Sequence, residues 1–88
     1  MKYPIFTIRD HKVGYSPQLQ LYDNTQAAMR GFAFLVSNDK QIMGFTPFDY
    51  DLYQIGIFDV DSGHIETQDP EFVVNGGNAF EKYESEDS

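Results

Sequence analysis

Short stretches of alternating apolar and polar side chains recur along the chain, and they predict an antiparallel sheet. Residues 2–9 are rich in β-branched and aromatic side chains, and Pro4 lies near their start, where a strand tolerates proline best. Further strands are predicted over 19–22 and 41–45, the first of them after a polar connection at 10–14.

The clearest strand pattern covers 51–59. Its side chains divide between two faces, with Tyr53, Ile55 and Ile57 on one and Leu52, Gln54 and Phe58 on the other. Residues 60–63 are typical of a hairpin turn, after which the chain is predicted to return as a strand over 64–67. Pro70 is expected to end that strand before a last apolar run at 72–74.

One segment has the spacing of an α-helix. Apolar side chains recur three or four positions apart between Ala28 and Val36, and the segment Asp23-Asn24-Thr25 offers an N-cap just before Gln26. The helix is predicted to end at Ser37. Because glycine costs a helix about 1 kcal/mol relative to alanine, Gly31 is a candidate for close approach to a strand.

Together these segments predict one α+β domain over 1–76, with a small antiparallel sheet of about five strands and one main helix packed on a face. A chain of 88 residues has room for a single core. A turn, or a single helical turn that starts at Pro47, is expected between the helix and the hairpin. Residues 77–88 are rich in acidic side chains and are predicted to form a mobile tail.

The composition excludes several kinds of site. The chain has no cysteine, which excludes a disulfide framework, a thiolate metal site and a cysteine nucleophile, and favours a reducing compartment. No apolar run has signal-peptide length or approaches the roughly 20 residues of a membrane span. We therefore expect a cytoplasmic protein with no membrane partner.

Charge is distributed unevenly between the two halves of the chain. The net charge is −8, which by itself argues against nucleic acid. Residues 1–47 carry five basic and three acidic side chains, a net charge of +2, whereas residues 48–88 carry one basic and eleven acidic side chains, a net charge of −10. This asymmetry is compatible either with a basic binding surface or with an acidic, DNA-like one.

Candidate catalytic side chains are isolated from one another in the sequence. His11 and His64 each lie in a polar turn and are predicted to be solvated. Asp49 and Asp51 are predicted to be solvated charges at a strand edge. We expect no enzyme, no cofactor and no metal site.

Basic side chains in the front half are interleaved with aromatic ones. This pattern is typical of a site for single-stranded nucleic acid, where cations bind phosphates and bases stack on rings. The candidate contacts are Lys2, Arg9, Lys12, Tyr15 and Arg30. The competing interpretation is that the rings only pack within the sheet, and spacing alone does not bring the basic side chains onto one surface.

Three segments resemble a known family. They are Met1-Lys2-Tyr3-x-Ile5-x-x-Ile8-Arg9-Asp10-x-Lys12-x-Gly14-Tyr15, Arg30-Gly31-Phe32, and Asp49-Tyr50-Asp51-Leu52-Tyr53-x-Ile55-Gly56-x-Phe58-Asp59-x-Asp61-Ser62-Gly63-x-Ile65. Together they resemble the small nonstructural protein of gokushoviruses, which are Microviridae phages with single-stranded DNA genomes. The resemblance implies a DNA-binding protein of the bacterial host cytoplasm that helps turn viral replication towards single-strand synthesis and packaging. It supplies no DNA-contacting residues.

The leading hypothesis is a phage nonstructural protein that binds single-stranded DNA or the replication complex through its basic front half. A homodimer would pool two weak patches and hide an edge strand. The alternative is an acidic adaptor that engages a replication, host or procapsid protein without contacting DNA. A third hypothesis is a structural or scaffolding oligomer. The acidic tail either keeps the chain soluble or competes with DNA for the basic patch.

Overall fold

The computed structural model describes residues 1–38 and 47–86. Five strands and two α-helices lie in these ranges. They are β1 (Lys2–Asp10), β2 (Gly14–Tyr15), β3 (Gln20–Leu21), α1 (Thr25–Asn38), β4 (Tyr50–Asp59), β5 (Ile65–Asn75) and α2 (Gly76–Glu86), and a 3-10 turn over Pro47–Asp49 precedes β4. The predicted α+β class, with an antiparallel sheet of about five strands, is confirmed.

The sheet is built around the long pair β1 and β4. The two strands run antiparallel along their whole length, and β5 adds to the free side of β4 as an edge strand. The other side of β1 is shared by two short strands. β2 pairs with its last two residues, and β3 pairs with Ile5 and Phe6.

Helix α1 covers one face of the sheet, which we call the inner face. Alternation along the strands directs Phe6 and Leu52 to the inner face, and Thr7, Arg9 and Tyr53 to the opposite, outer face. The buried core consists of inner-face and helix side chains: Phe6, Ala28, Phe32, Ala33, Val36, Leu52 and Ala79. The described helices pack on the inner face; on the outer face Thr7 and Asp51 are buried, and Arg9 and Tyr53 are partly exposed.

The start of α1 confirms the predicted cap. The side-chain Oδ1 of Asn24 accepts a hydrogen bond from the backbone N–H of Ala27 at 2.8 Å, which satisfies a donor that the first turn leaves unpaired. Gly31 marks a close approach, but to the side chain of Tyr22, which follows β3, and not to a strand as predicted. A Cβ added there would lie 2.6 Å from the hydroxyl of Tyr22, whose ring packs edge-on against Phe6.

The chain forms α2 from Gly76 and buries Ala79 completely, a helix that the sequence did not predict, while the mobility of the acidic tail stays a prediction. Two glycines let α2 approach the 3-10 turn. A Cβ at Gly76 would collide with the carbonyl oxygen of Pro47, and one at Gly77 would collide with the ring of Phe48. Glycine and acidic composition suggested a flexible end, whereas the packing of these small residues stabilises a helix.

The prediction that Pro70 ends the last strand is wrong. β5 continues through it, with one register shift at the 68–70 stretch and another at Val73. A proline is tolerated there because β5 is an edge strand and a bulged residue needs no ladder hydrogen bond. In β4, Ile55 is an extra residue between Gln54 and Gly56, so the predicted alternation of faces does not extend past it.

Two remaining predictions concern the connections. The single helical turn starting at Pro47 is confirmed as the 3-10 turn. The strand predicted over 41–45 lies outside the described residues.

Within the described ranges, no helix has the length and apolar character needed to cross a membrane.

Candidate nucleic-acid interface

Three aromatic rings form a row across the outer face, and we call them the aromatic row: Tyr15 from β2, Tyr53 from β4 and Phe72 from β5. The ring centroids of Tyr15 and Tyr53 lie 5.4 Å apart at 77°, and those of Tyr53 and Phe72 lie 5.9 Å apart at 81°. Both contacts are edge-to-face, the arrangement that aromatic quadrupoles favour. The outer rings of the row are open to solvent, Tyr15 at 49% and Phe72 at 55% exposure.

Strand register places a cation at one end of the aromatic row. Arg9 is the direct partner of Tyr15 in the β1–β2 pair, and its guanidinium carbon lies 5.6 Å from the centroid of the Tyr15 ring. This distance is within the range of a cation–π contact. Among the described residues, the ion pairs join the Met1 amine to Asp61 and His11 to Asp51, and neither involves Arg9.

Lys12 lies in the tight turn between β1 and β2, close in the chain to both Arg9 and Tyr15. The side-chain Oδ1 of Asp10 accepts a hydrogen bond from the backbone N–H of Lys12 at 2.8 Å, which fixes the turn while the lysine side chain stays exposed. The turn therefore carries a second exposed positive charge at the same end of the sheet as Arg9.

The five candidate contacts do not form one surface. The structure brings Arg9, Lys12 and Tyr15 together at one end of the sheet. Lys2 lies at the other end of β1, about 23 Å away at the usual strand rise, where it lines a cavity of about 190 Å³ with His64. Arg30 is exposed on α1, the helix that covers the inner face.

Sequence reasoning missed Tyr53 and Phe72 as site residues. Tyr53 was assigned to a strand face, and Phe72 only to an apolar run. The signal that could have found them is the pairing of β4 with β5, in which the two are direct partners. That register depends on the bulges of β5, which the sequence did not reveal.

The prediction that Asp51 is a solvated edge charge is wrong. Asp51 is only 7% exposed, and each of its carboxylate oxygens has a hydrogen-bond partner. Oδ2 lies 2.6 Å from Nε2 of His11, and Oδ1 accepts a hydrogen bond from Nδ2 of Asn75 at 2.8 Å. A carboxylate accepts hydrogen bonds only, so Nε2 of His11 carries the proton. The same contact shows that His11, predicted to be solvated, is held by Asp51.

Asn75 joins this carboxylate to the rest of the fold. Its Nδ2 also donates to the carbonyl oxygen of Phe48 at 2.8 Å, and its Oδ1 accepts from the backbone N–H of Gly77 at 3.0 Å as the N-cap of α2. The Asn75 side chain therefore connects β4, the 3-10 turn and α2. It does so next to Asp51, the strand partner of Arg9.

Exposed acidic side chains lie along the β5 edge of the sheet. The exposed acidic side chains of β5 are Glu66, Asp69 and Glu71. Burial raises the pKa of Tyr50, and the carboxylates of Asp10 and Asp49 raise that pKa further, so the phenol stays neutral beside them. The β5 edge is therefore negative, whereas the β1–β2 end carries the cations Arg9 and Lys12 together with the carboxylates Asp10 and Asp51.

Residues 3–79 match the family model of the Phage ORF5 protein. The chain belongs to the Phage ORF5 protein family. It is therefore a phage protein, and the span shared with the Phage ORF5 model contains the whole aromatic row, Arg9 and Lys12. Comparisons with curated proteins and with solved structures found no match. The narrower resemblance to gokushoviruses stays a prediction.

Proposed function

We propose that this phage protein binds single-stranded DNA on the outer face of its sheet, with bases on the aromatic row and phosphates at Arg9 and Lys12. It acts without a catalytic step, as a nonstructural protein of the host cytoplasm. Bound to the strand or to the replication complex, it helps turn viral replication towards single-strand synthesis and packaging.

The observation that carries the proposal is the open aromatic row with a guanidinium at one end. Stacking a base on an aromatic side chain contributes about 1–3 kcal/mol, and Tyr15 and Phe72 each expose about half of their surface. Sheet surfaces that stack unpaired bases are a recurrent mode of nucleic-acid recognition. A duplex keeps its bases stacked on one another, so this row favours single strands.

The charge pattern predicts weak, salt-sensitive binding by each chain. Two cations lie at the row, and the acidic side chains of β5 repel a phosphate backbone that extends past Phe72. For single strands, each neutralised phosphate contributes about −0.7 to the slope of log K against log salt, so two contacts predict a slope of about −1.4. A homodimer would pool two such patches and raise the affinity.

Anisotropy titrations of labelled oligothymidine and of a duplex of equal length test the proposal. We expect the full chain to bind oligothymidine more tightly, with the salt slope above. Arg9→Ala and Phe72→Ala each weaken binding about tenfold, the equivalent of about 1.4 kcal/mol. Lys2→Ala is the matched control, since it removes a positive charge at the far end of β1. Equal loss in all three variants, or no binding at low salt, would refute the site.

A second candidate function is an acidic adaptor for a basic protein partner, and the exposed acids of β5 favour it. A replication or procapsid protein with a basic surface would bind along this edge strand. Capture of such a partner by the wild type, lost in Glu66→Gln/Glu71→Gln and retained in Arg9→Ala, would support the adaptor. The reverse pattern, with the DNA titration positive, would exclude it.

A further inference from the structure

A buried carboxylate lies directly beside the proposed phosphate-binding arginine. Arg9 and Asp51 are direct partners in the antiparallel pair of β1 and β4, so their side chains share the outer face with Cβ atoms about 5 Å apart. An arginine this close to a carboxylate ordinarily forms a bidentate ion pair with it. Here the guanidinium lies over the ring of Tyr15 instead.

The reason lies in the partners that Asp51 already has. Nε2 of His11 occupies one carboxylate oxygen at 2.6 Å, and Nδ2 of Asn75 occupies the other at 2.8 Å. The two partners come from opposite sides, His11 from the turn after β1 and Asn75 from the end of β5. Each oxygen keeps a further lone pair, but two donors already satisfy the buried carboxylate, which weakens its need for the guanidinium as a third donor.

We propose that His11 is a positioning residue of the single-strand site: by holding Asp51, it keeps the guanidinium of Arg9 on Tyr15 and available to a phosphate. This inference rests on the proposed function. His11 itself need not touch DNA. It acts by removing the competitor that lies nearest to Arg9 in the sheet.

Removing the imidazole of His11 would leave Arg9 as the nearest donor for the Asp51 carboxylate besides Asn75. Without His11, Oδ2 of Asp51 is left unpartnered in a site that is nearly closed to solvent, which is unfavourable for a charged oxygen. Arg9, on the opposed position of the next strand, supplies the missing donor and leaves Tyr15. The backbone N–H of His11 donates to the carbonyl oxygen of Asp49 at 2.9 Å, and an alanine keeps that bond, so the turn stays in place.

Four variants of the full chain separate the possibilities. His11→Ala removes the donor, and His11→Gln retains a side-chain N–H that can reach the carboxylate. His11→Ala/Asp51→Asn also removes the negative charge that attracts Arg9. His64→Ala is the matched control, because the other histidine lies in the β4–β5 turn and lines a separate cavity. Oligothymidine affinity, its salt slope and the NMR resonance of the Arg9 side-chain Nε–H without DNA are measured for each.

We expect His11→Ala to raise the Kd about tenfold, to make the salt slope shallower by about 0.7, and to move the Arg9 resonance. His11→Gln and the double variant should return all three towards wild type, and His64→Ala should change none. A double variant as weak as His11→Ala, or an Arg9 resonance unmoved in His11→Ala, overturns the role of His11. If His11→Ala does not fold, the double variant and His11→Gln decide by the same readouts.

The two proposals fail in different ways. A wild type that does not bind oligothymidine refutes the DNA site. In that case the Arg9 side-chain resonance, measured without DNA in the wild type and in His11→Ala, still shows whether His11 keeps Arg9 away from Asp51. A wild type that binds, with His11→Ala binding equally well, refutes only the positioning role.

Discussion

Replacing Asn75 with alanine removes three short hydrogen bonds from one end of the sheet, together with a longer one of 3.4 Å to the carbonyl oxygen of Tyr50. The side chain donates to the Asp51 carboxylate, donates to the carbonyl oxygen of Phe48, and accepts from the backbone N–H of Gly77 as the cap of α2. None of these partners finds a replacement in a methyl group. The change therefore tests whether this hub stabilises the second helix and the 3-10 turn together.

The magnitude follows from the three bonds. Loss of an N-cap costs about 1 kcal/mol, and loss of a hydrogen bond to a charged group costs about 1.5–3 kcal/mol. The bond to the Phe48 carbonyl, in an exposed position, adds at most about 1 kcal/mol. We expect the free energy of unfolding to fall by about 3–4 kcal/mol, a large share of the stability of so small a domain.

Urea denaturation followed by circular dichroism measures this change. Asn78→Ala is the matched control, since Asn78 lies three residues later in α2 with its side chain exposed, and we expect less than about 0.5 kcal/mol there. Asn75→Asp keeps the capping oxygen but sets a second carboxylate against Asp51, so it should be as destabilising as the alanine. Equal stability of Asn75→Ala and Asn78→Ala would refute the hub.

Further expectations concern packing and acid titration. Gly76→Ala should lower the free energy of unfolding by about 1–3 kcal/mol, measured in urea, because its Cβ meets the backbone carbonyl of Pro47; a neutral result would mean that α2 lies farther from the 3-10 turn. Phe32→Ala should cost about 3–5 kcal/mol in the same assay, since the ring is 2% exposed within the core, and a cost below 1 kcal/mol would contradict that burial. The backbone N–H of Asp61 holds the pKa of Asp59 below its ordinary 3.8. The folded state thus binds that proton less readily than the unfolded chain, and the resulting stability is present above the ordinary pKa and lost as pH falls through the lower folded value. Carboxyl carbon shifts followed against pH should show this low midpoint, and a midpoint at or above the ordinary value would contradict it.

Local features of the fold were predictable because their causes are local. Asn24 caps α1 through a bond to a residue three positions along the chain, so neighbouring residues sufficed to place the cap within Asp23-Asn24-Thr25. The hairpin of β4 and β5 follows from alternation and a turn-forming tetrapeptide over 60–63. Pro47 opens a helical turn because its own ring favours that backbone angle.

Other features depend on partners that are distant in the chain. Asn75 caps a helix through the same kind of hydrogen bond as Asn24. In the sequence, however, the two glycines that follow Asn75 indicate a loop, and only the packing of the 3-10 turn against them shows why a helix forms there. In the sequence, Asp51 has the pattern of a solvated charge. In the structure its two carboxylate oxygens are bound by His11, which lies forty residues earlier, and by Asn75. No spacing rule relates such positions.

By itself, the sequence determined the class of fold, the main helix and its cap, and the concentration of positive charge in the front half. Helical and strand periodicities are properties of neighbouring residues, so they can be read without a partner. Only the tertiary structure decided which candidate side chains lie together. Strand register puts Arg9 beside Tyr15 and extends the aromatic row to Phe72. Register is set by pairing between distant segments, and a bulge of one residue changes which side chains share a face.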